Sequence, residues 1–381
     1  MASIPRQDVG VAEIFRLHGE RFLNQYRQPA HHLKLIHLIK SCRTSALGGH
    51  MQKCDSCDFE KPMYNSCRCR MCPQCQVLKR ERWVEARNNE LLPCAYVHGV
   101  FTLPHELNVL ASYNKDLIYK LLFDSVSETL QTFAKRELNG QLGFISVLHT
   151  WNQKLQSHIH LHCVIPAGAF ERASSKWLPV TNDKFLFPVR ALSKVFKAKF
   201  LGMLRERASE VVRPAHLRDD ATLNDYLNIV YNKEWVVYAK RPFNGPKQVI
   251  EYLGRYTHKT AISNSRILRL NENEVVFKYR DRADGDTEKT MALDGVEFLK
   301  RFMLHVLPKG MHRIRFYGFL SNKAKNKNIE KIYRYLSVVR PDVRDPKDIT
   351  PESYFKRKFD IDITKCPQCK HGKFSARASP S

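Results

Sequence analysis

Acidic residues are scarce in this 381-residue sequence: 38 Asp and Glu face 63 Lys and Arg, a formal charge of +25. Such an excess argues against an acidic small molecule as the main partner and favours a polyanion, nucleic acid first. Long apolar runs are missing as well. The longest, such as Leu35-Ile36-His37-Leu38-Ile39, fall far short of the roughly 20 residues that cross a bilayer, so no membrane partner is expected. The opening Met1-Ala2-Ser3-Ile4-Pro5-Arg6-Gln7-Asp8 lacks the apolar core of a secretory signal, and a cytoplasmic location is expected. No G-x-x-x-x-G-K phosphate loop and no internal repeat of useful length stand out. Scattered cysteines are also lacking. The count is 11, an odd number, and most lie in close clusters, which in a reducing compartment points to metal ligation rather than a disulfide framework.

The length allows two or three domains. Residues 11–40 have helical periodicity divided by Pro29, and residues 47–76 are rich in Cys and turn formers, too poor in apolar residues to fold without a metal. Helical patterns return over 79–92 and 115–136, with a strand over 95–103 between them. Phe144–Trp151 and His158–Ile165 read as two strands of one hairpin. Helices follow over 190–212 and 223–233, a strand over 234–239, a helix over 246–262, strand-like pieces over 266–281, a helix over 294–306 and a closing strand over 313–317. Beyond residue 320 the chain becomes Lys- and Asn-rich and ends in a half-knuckle, Cys366-Pro367-Gln368-Cys369.

Two C-x2-C pairs, Cys54/Cys57 and Cys72/Cys75, are separated by 14 residues. Four thiolates close a tetrahedral zinc site, and a closed site is structural. This quartet is the expected zinc ligand set, with Cys67, Cys69 and His50 near enough to substitute. Cys42, Cys94 and Cys163 read as small buried apolar residues. A zinc deaminase is the competing reading of His18-Gly19-Glu20, but Pro73 lies inside its Cys pair instead of before it.

The segment His158-Ile159-His160-Leu161-His162 is the one place where HxH occurs, and strand alternation turns its imidazoles to one face. Packing alone explains many such strands. Here, however, the strand is apolar and His149 is expected on its neighbour, so a metal held by His160 and His162 is the sharper reading. Tyr252 and Tyr256 are the one i, i+4 tyrosine pair among 15 tyrosines. An aromatic pair on a helix commonly only stabilises it. A phenol attacks phosphate when cations stabilise the phenolate, and Arg255, His258 and Lys259 sit within about one turn of Tyr256.

Several blocks in one order resemble the transposases of the insertion sequence 91 family, within the HUH endonuclease superfamily, where U is a bulky apolar residue. They are Tyr64-Asn65-Ser66-Cys67-Arg68, Phe101 to Leu107, His160-Leu161-His162, Trp235 to Pro242, Tyr252 to His258, and Leu304 to Gly310. The resemblance implies rolling-circle transposition of single-stranded DNA through a 5′-phosphotyrosine. Tyr252 and Tyr256 would be nucleophiles, and His160 and His162 would hold Mg2+ or Mn2+, with no nucleotide cofactor required. Met71 stands where the family often has His, Cys69 where Asn is commoner, and Phe316 where His is frequent. If that last position supplies the family's third metal ligand, then His149, Gln153, His158 and His258 are the candidates here.

The expected architecture is α+β. A helical, zinc-binding DNA-recognition module (1–94) precedes an HUH nuclease (95–320), whose central antiparallel sheet carries HxH on an inner strand flanked by helices, and a basic tail (321–381) follows. Arg68, Arg70, Lys79, Arg80, Arg82, Arg255 and Lys259 are the expected contacts to element-end and single-stranded DNA. A replication initiator or relaxase of the same superfamily shares this chemistry. A non-catalytic zinc-dependent DNA-binding protein would share only the binding.

Overall fold

A computed structural model describes residues 9–180, 186–240, 248, 250, 251, 254, 257, 260–281 and 283–377. Its chain order begins α1 (Val11–Gln25), α2 (Ala30–Lys40), β1 (Gly49–Cys54), β2 (Glu60–Tyr64), α3 (Val77–Asn88) and β3 (Tyr96–Thr102). Next come α4 (Leu107–Tyr113), α5 (Lys115–Leu138), β4 (Phe144–Trp151), β5 (Ser157–Pro166), β6 (Gly168–Glu171), β7 (Lys176–Pro179), α6 (Val189–Glu206), α7 (Asp220–Asn232) and β8 (Val237–Lys240). Strands β9 (Ile267–Leu270), β10 (Glu274–Asp281) and β11 (Thr287–Asp294) lead into the helix Gly295–Leu304 and β12 (Ile314–Tyr317). Helices Lys325–Tyr335 and Pro351–Phe359 precede β13 (Phe374–Arg377).

The expected α+β fold is present. Five antiparallel strands form the central sheet in the order β12-β4-β5-β3-β8, which puts the histidine strand β5 in the middle. Period-2 alternation divides β5 between two cores. Ile159, Leu161, Cys163 and Ile165 face one way and pack with Val97, Phe101 and Leu148 under helices α4 to α7, where Phe123, Phe196 and Phe200 are fully buried. Val164, Ile145 and Val147 face the other way and pack with Ile250, Phe319, Ile329 and Ile332. His160 and His162 share that second face.

A separate sheet, β11-β10-β9, packs against α1 and the helix Gly295–Leu304 through Phe15, Phe277, Phe298 and Phe302. The Phe15 and Phe302 rings meet edge to face at 5.7 Å, a favoured aromatic geometry. Helix α1 is thus built into the second half of the chain, joined to it by apolar burial and by the bond from Val11 N to Asn264 Oδ1 at 3.3 Å.

Residues 321–377 are more than a basic tail. Ile329 and Ile332 are completely buried on the second face of the central sheet, and β13 pairs antiparallel with β1 as the third strand of the sheet β13-β1-β2. A composition dominated by Lys and Asn hid this, because a helix needs only one apolar stripe to dock. Among the described residues no helix is long and apolar enough to cross a membrane.

Candidate metal centres and active site

The register of the central hairpin sets His149 of β4 directly opposite His160 of β5, and Val147 opposite His162. All three imidazoles, of His149, His160 and His162, are buried, and their nearest ring nitrogens lie within 4.8 Å of one another. His149 Nδ1 is 3.1 Å from His160 Nε2, which is 3.1 Å from His162 Nε2. Two nitrogens in cis positions of an octahedron, bound at about 2.1 Å, are about 3.0 Å apart. The donor set therefore fits a divalent ion and leaves further positions to water or a phosphate oxygen. A register shift between His149 and Trp151 marks a bulge at this end of β4, a common device for aiming a side chain. The Trp151 ring stands 4.1 Å from that of His149.

Neighbouring groups orient two of the three imidazoles. His160 Nδ1–H donates to the His158 carbonyl at 2.9 Å, which frees Nε2 to face the centre. His162 Nδ1 lies 2.9 Å from His98 Nε2, in a stacked pair of rings. Burial pushes His98 down to about 4, so that ring is neutral at physiological pH and can accept from His162 Nδ1–H.

Of the candidate third ligands, the structure brings His149 into the group. His158 is exposed, with its ring 4.6 Å from that of His160. The backbone carbonyl of Gln153 accepts from Arg266, and the Gln153 side chain is not part of the group. His258 lies outside the described residues. Phe316 pairs with Ile145, four residues and about 13 Å along β4 from His149, with Arg87 and Lys325 over its ring.

The cysteines form two quartets, and neither is the expected one. Cys72 and Cys75 sit with Cys42 and Cys67; Cys54 and Cys57 sit with Cys366 and Cys369. In the first quartet the Sγ separations are 3.5 Å for Cys42–Cys75, 3.6 Å for Cys42–Cys72 and 3.6 Å for Cys67–Cys75. Zinc bound to four thiolates at about 2.3 Å holds sulfurs about 3.8 Å apart in a tetrahedron, so the donors fit. The expected set Cys54, Cys57, Cys72 and Cys75 fails because the two knuckles lie in different folding units. The first belongs to the β1–β2 hairpin, and the second precedes α3 beside the end of α2. Cys42, which reads as a small apolar residue just past α2, is a member of the second knuckle's group.

Residues 14–103 match a family model described as "Transposase zinc-binding domain", and residues 143–328 match one described as "Putative transposase". The "Putative transposase y4qJ" of Sinorhizobium fredii is 41% identical over 374 residues, spanning 95% of this chain and 93% of the relative. The chain belongs to the insertion sequence 91 family of transposases. The "Transposase for insertion sequence element IS801" of Pseudomonas savastanoi pv. phaseolicola is 27% identical over 345 residues, 86% of this chain and 79% of that one. No solved structure matches the chain.

In this transposase Tyr252, Tyr256, Arg255 and Lys259 lie outside the described residues. Their described neighbours are helical at 248, 250, 251, 254 and 257. Ile250 is buried on the second face of the central sheet. Gly254 is pressed onto α3 so closely that a Cβ there would come within 2.3 Å of Val84 Cγ2. Thr257 is buried and lines a cleft of about 300 Å³ with Arg70, Gln76, Lys79, Thr150, Trp151 and Arg313.

Several of the expected DNA-contacting side chains also have partners within the protein. Arg70 donates to the carbonyls of Met311, Leu307 and Pro308 at 3.0, 3.3 and 3.2 Å. Arg82 Nε donates to the Ile349 carbonyl at 2.9 Å, and Arg80 pairs with Glu81 at 2.7 Å. Lys79 caps the Arg68 carbonyl at 3.0 Å, where Arg68 is exposed with a left-handed φ of 50°. Charge counting alone could not show these carbonyl acceptors. It also missed Arg313, which is half-buried in the cleft with its guanidinium over the Trp151 ring at 4.7 Å. Burial first, then the charge of Arg70, pushes Arg313 down to about 9.

Proposed function

We propose that this transposase nicks single-stranded DNA at the ends of its element and joins itself to the 5′-phosphate end left at the break through Tyr252 or Tyr256, in the cytoplasm. The observation that carries the reading is the buried triad His149, His160 and His162. It lies on the same sheet face against which Ile250, two residues before Tyr252 in the sequence, is packed.

The phenol gives up its proton, its oxygen bonds to phosphorus, and the bond from phosphorus to the 3′ oxygen of the preceding nucleotide breaks. That oxygen leaves with a proton as a 3′-hydroxyl. The phosphotyrosine keeps the bond energy, so attack by another 3′-hydroxyl rejoins DNA without a nucleotide cofactor. His149, His160 and His162 would hold a magnesium or manganese ion, whose contribution when bound is Lewis-acid polarisation of the scissile phosphate. The second layer, His98 and the His158 carbonyl, keeps the ligand nitrogens aimed at the centre. Arg70 and Arg313 line the adjacent cleft, and a phosphate there would relieve the mutual repulsion of their charges.

The test uses element-end oligonucleotides labelled at the 5′ or the 3′ end, with Mg2+ or Mn2+, resolved on a denaturing gel. The expected result is a covalent protein adduct with the 3′-labelled fragment only, absent from the variant carrying both Tyr252→Phe and Tyr256→Phe. An adduct that persists in that double variant overturns the nucleophile assignment. No adduct from the unmutated chain on its own ends overturns the enzyme reading.

A further inference from the structure

Among the described residues, the sheet β13-β1-β2 has no apolar core of its own. None of its residues belongs to the three apolar clusters of the described chain, and β2 is exposed along most of its length. Such a small unit needs a staple to fold. What it has at its end is four sulfurs. Cys54 Sγ lies 3.7 Å from Cys369 Sγ, and Cys57 Sγ lies 3.7 Å from Cys366 Sγ. These separations far exceed the about 2.05 Å of a disulfide and match the about 3.8 Å between thiolates around tetrahedral zinc.

The backbone around the sulfurs is arranged for the same purpose. Ser56 N donates to Cys54 Sγ at 3.4 Å and Gly372 N donates to Cys369 Sγ at 3.3 Å, bonds that favour the thiolate form of a ligand. Cys366 N donates to the Gly372 carbonyl at 2.7 Å, closing the second knuckle with Lys370 at a φ of 66°. The two knuckles hold each other directly. Asp55 N donates to the Lys373 carbonyl at 3.0 Å, and Lys373 N donates to Asp55 Oδ1 at 2.8 Å. Gly372 sits so near that a Cβ would come within 2.4 Å of Cys54 Sγ.

We propose that Cys54, Cys57, Cys366 and Cys369 bind a second structural zinc ion, which clasps the C-terminal segment to the N-terminal zinc-binding domain. The clasp ends a strap that runs back along α3. Arg340 donates to the Asn89 carbonyl at 3.0 Å, Asn89 to the Arg344 carbonyl at 2.6 Å, Arg82 to the Ile349 carbonyl at 2.9 Å, and Arg357 pairs with Glu81 at 3.3 Å. Because α3 also seats Gly254, the second zinc fastens the cover over the helix that anchors the tyrosine segment.

Cobalt(II) in place of zinc makes the site visible, since sulfur-to-cobalt charge transfer reports thiolate ligands and the histidine triad contributes none. Full-length chain loaded with cobalt is expected to show the intensity of two four-thiolate centres. Changing Cys366→Ser with Cys369→Ser is expected to halve that band and to expose residues 338–365 to trypsin, while His160→Ala with His162→Ala leaves it unchanged. Intensity corresponding to one four-thiolate centre in the unmutated chain overturns the proposal, and that reading does not depend on any variant folding. An unchanged band in the Cys366/Cys369 variant overturns it equally.

Discussion

The cysteine quartets and the histidine triad gather ligands in opposite ways. Each quartet draws on distant segments: Cys42 joins Cys67, Cys72 and Cys75, while Cys54 and Cys57 meet residues more than 300 positions away. The triad takes its ligands from two neighbouring strands, paired residue to residue, with both faces of the sheet buried. Four sulfurs saturate a tetrahedral ion, so what such a centre supplies is fastening of chain segments. Three imidazoles on a rigid sheet leave coordination positions open and are held by a second layer, which is what reaction at a fixed geometry requires. Closed centres join the fold; the open one is presented by it.

The sharpest way to break this contrast is to empty the open centre alone. His160→Ala with His162→Ala should reduce nicking by at least about a thousandfold, on the order of 4 kcal/mol of transition-state stabilisation. Zinc bound by the cysteines, measured by elemental analysis, should not change. Nicking within tenfold of the unmutated chain would remove the triad from the reaction.

A smaller effect is expected from the layer behind the ligands. His98→Ala removes the ring that faces His162 Nδ1 at 2.9 Å, and such outer partners contribute roughly 10–100-fold in metal affinity. The dependence of nicking on Mn2+ concentration should shift upward by that factor, with the rate at saturating Mn2+ largely recovered. A lowered maximal rate with unchanged Mn2+ dependence would show that His98 acts elsewhere.

What the sequence revealed of these centres follows the range of the forces involved. The β4–β5 hairpin and the common face of His158, His160 and His162 were legible because strand alternation is local. The division of α1 from α2 at Pro29 was legible for the same reason. Cysteine pairing was not, since one C-x2-C knuckle is chemically equivalent to another and only the tertiary fold decides which two meet. Cys42 gave no signal beyond its burial. His149 stood among four candidates until register placed it opposite His160, and register depends on the bulge and turn between the strands. The inward bonds of Arg70 and Arg82 were invisible because backbone carbonyls have no sequence signature.

The smallest predicted effect concerns a histidine that the contrast leaves aside. His305 is fully buried behind Trp151, its Nε2–H donating to the Leu155 carbonyl at 3.0 Å and its Nδ1 3.3 Å from Thr150 Oγ1. Burial is the main cause that pushes it down to about 4; Lys115 and Arg313 add to the shift, and the Leu155 carbonyl opposes it. The unfolded chain protonates this ring near 6.5, so between about 6.5 and 4 the unfolded state binds the extra proton. Stability is therefore fully present above about 6.5 and is lost as pH falls toward 4. Urea unfolding midpoints at pH 7.5 and pH 5 should differ, and His305→Gln should narrow the difference. If the variant keeps the whole difference, the pH sensitivity lies in other groups and His305 serves only to hold the Leu155 turn against the sheet.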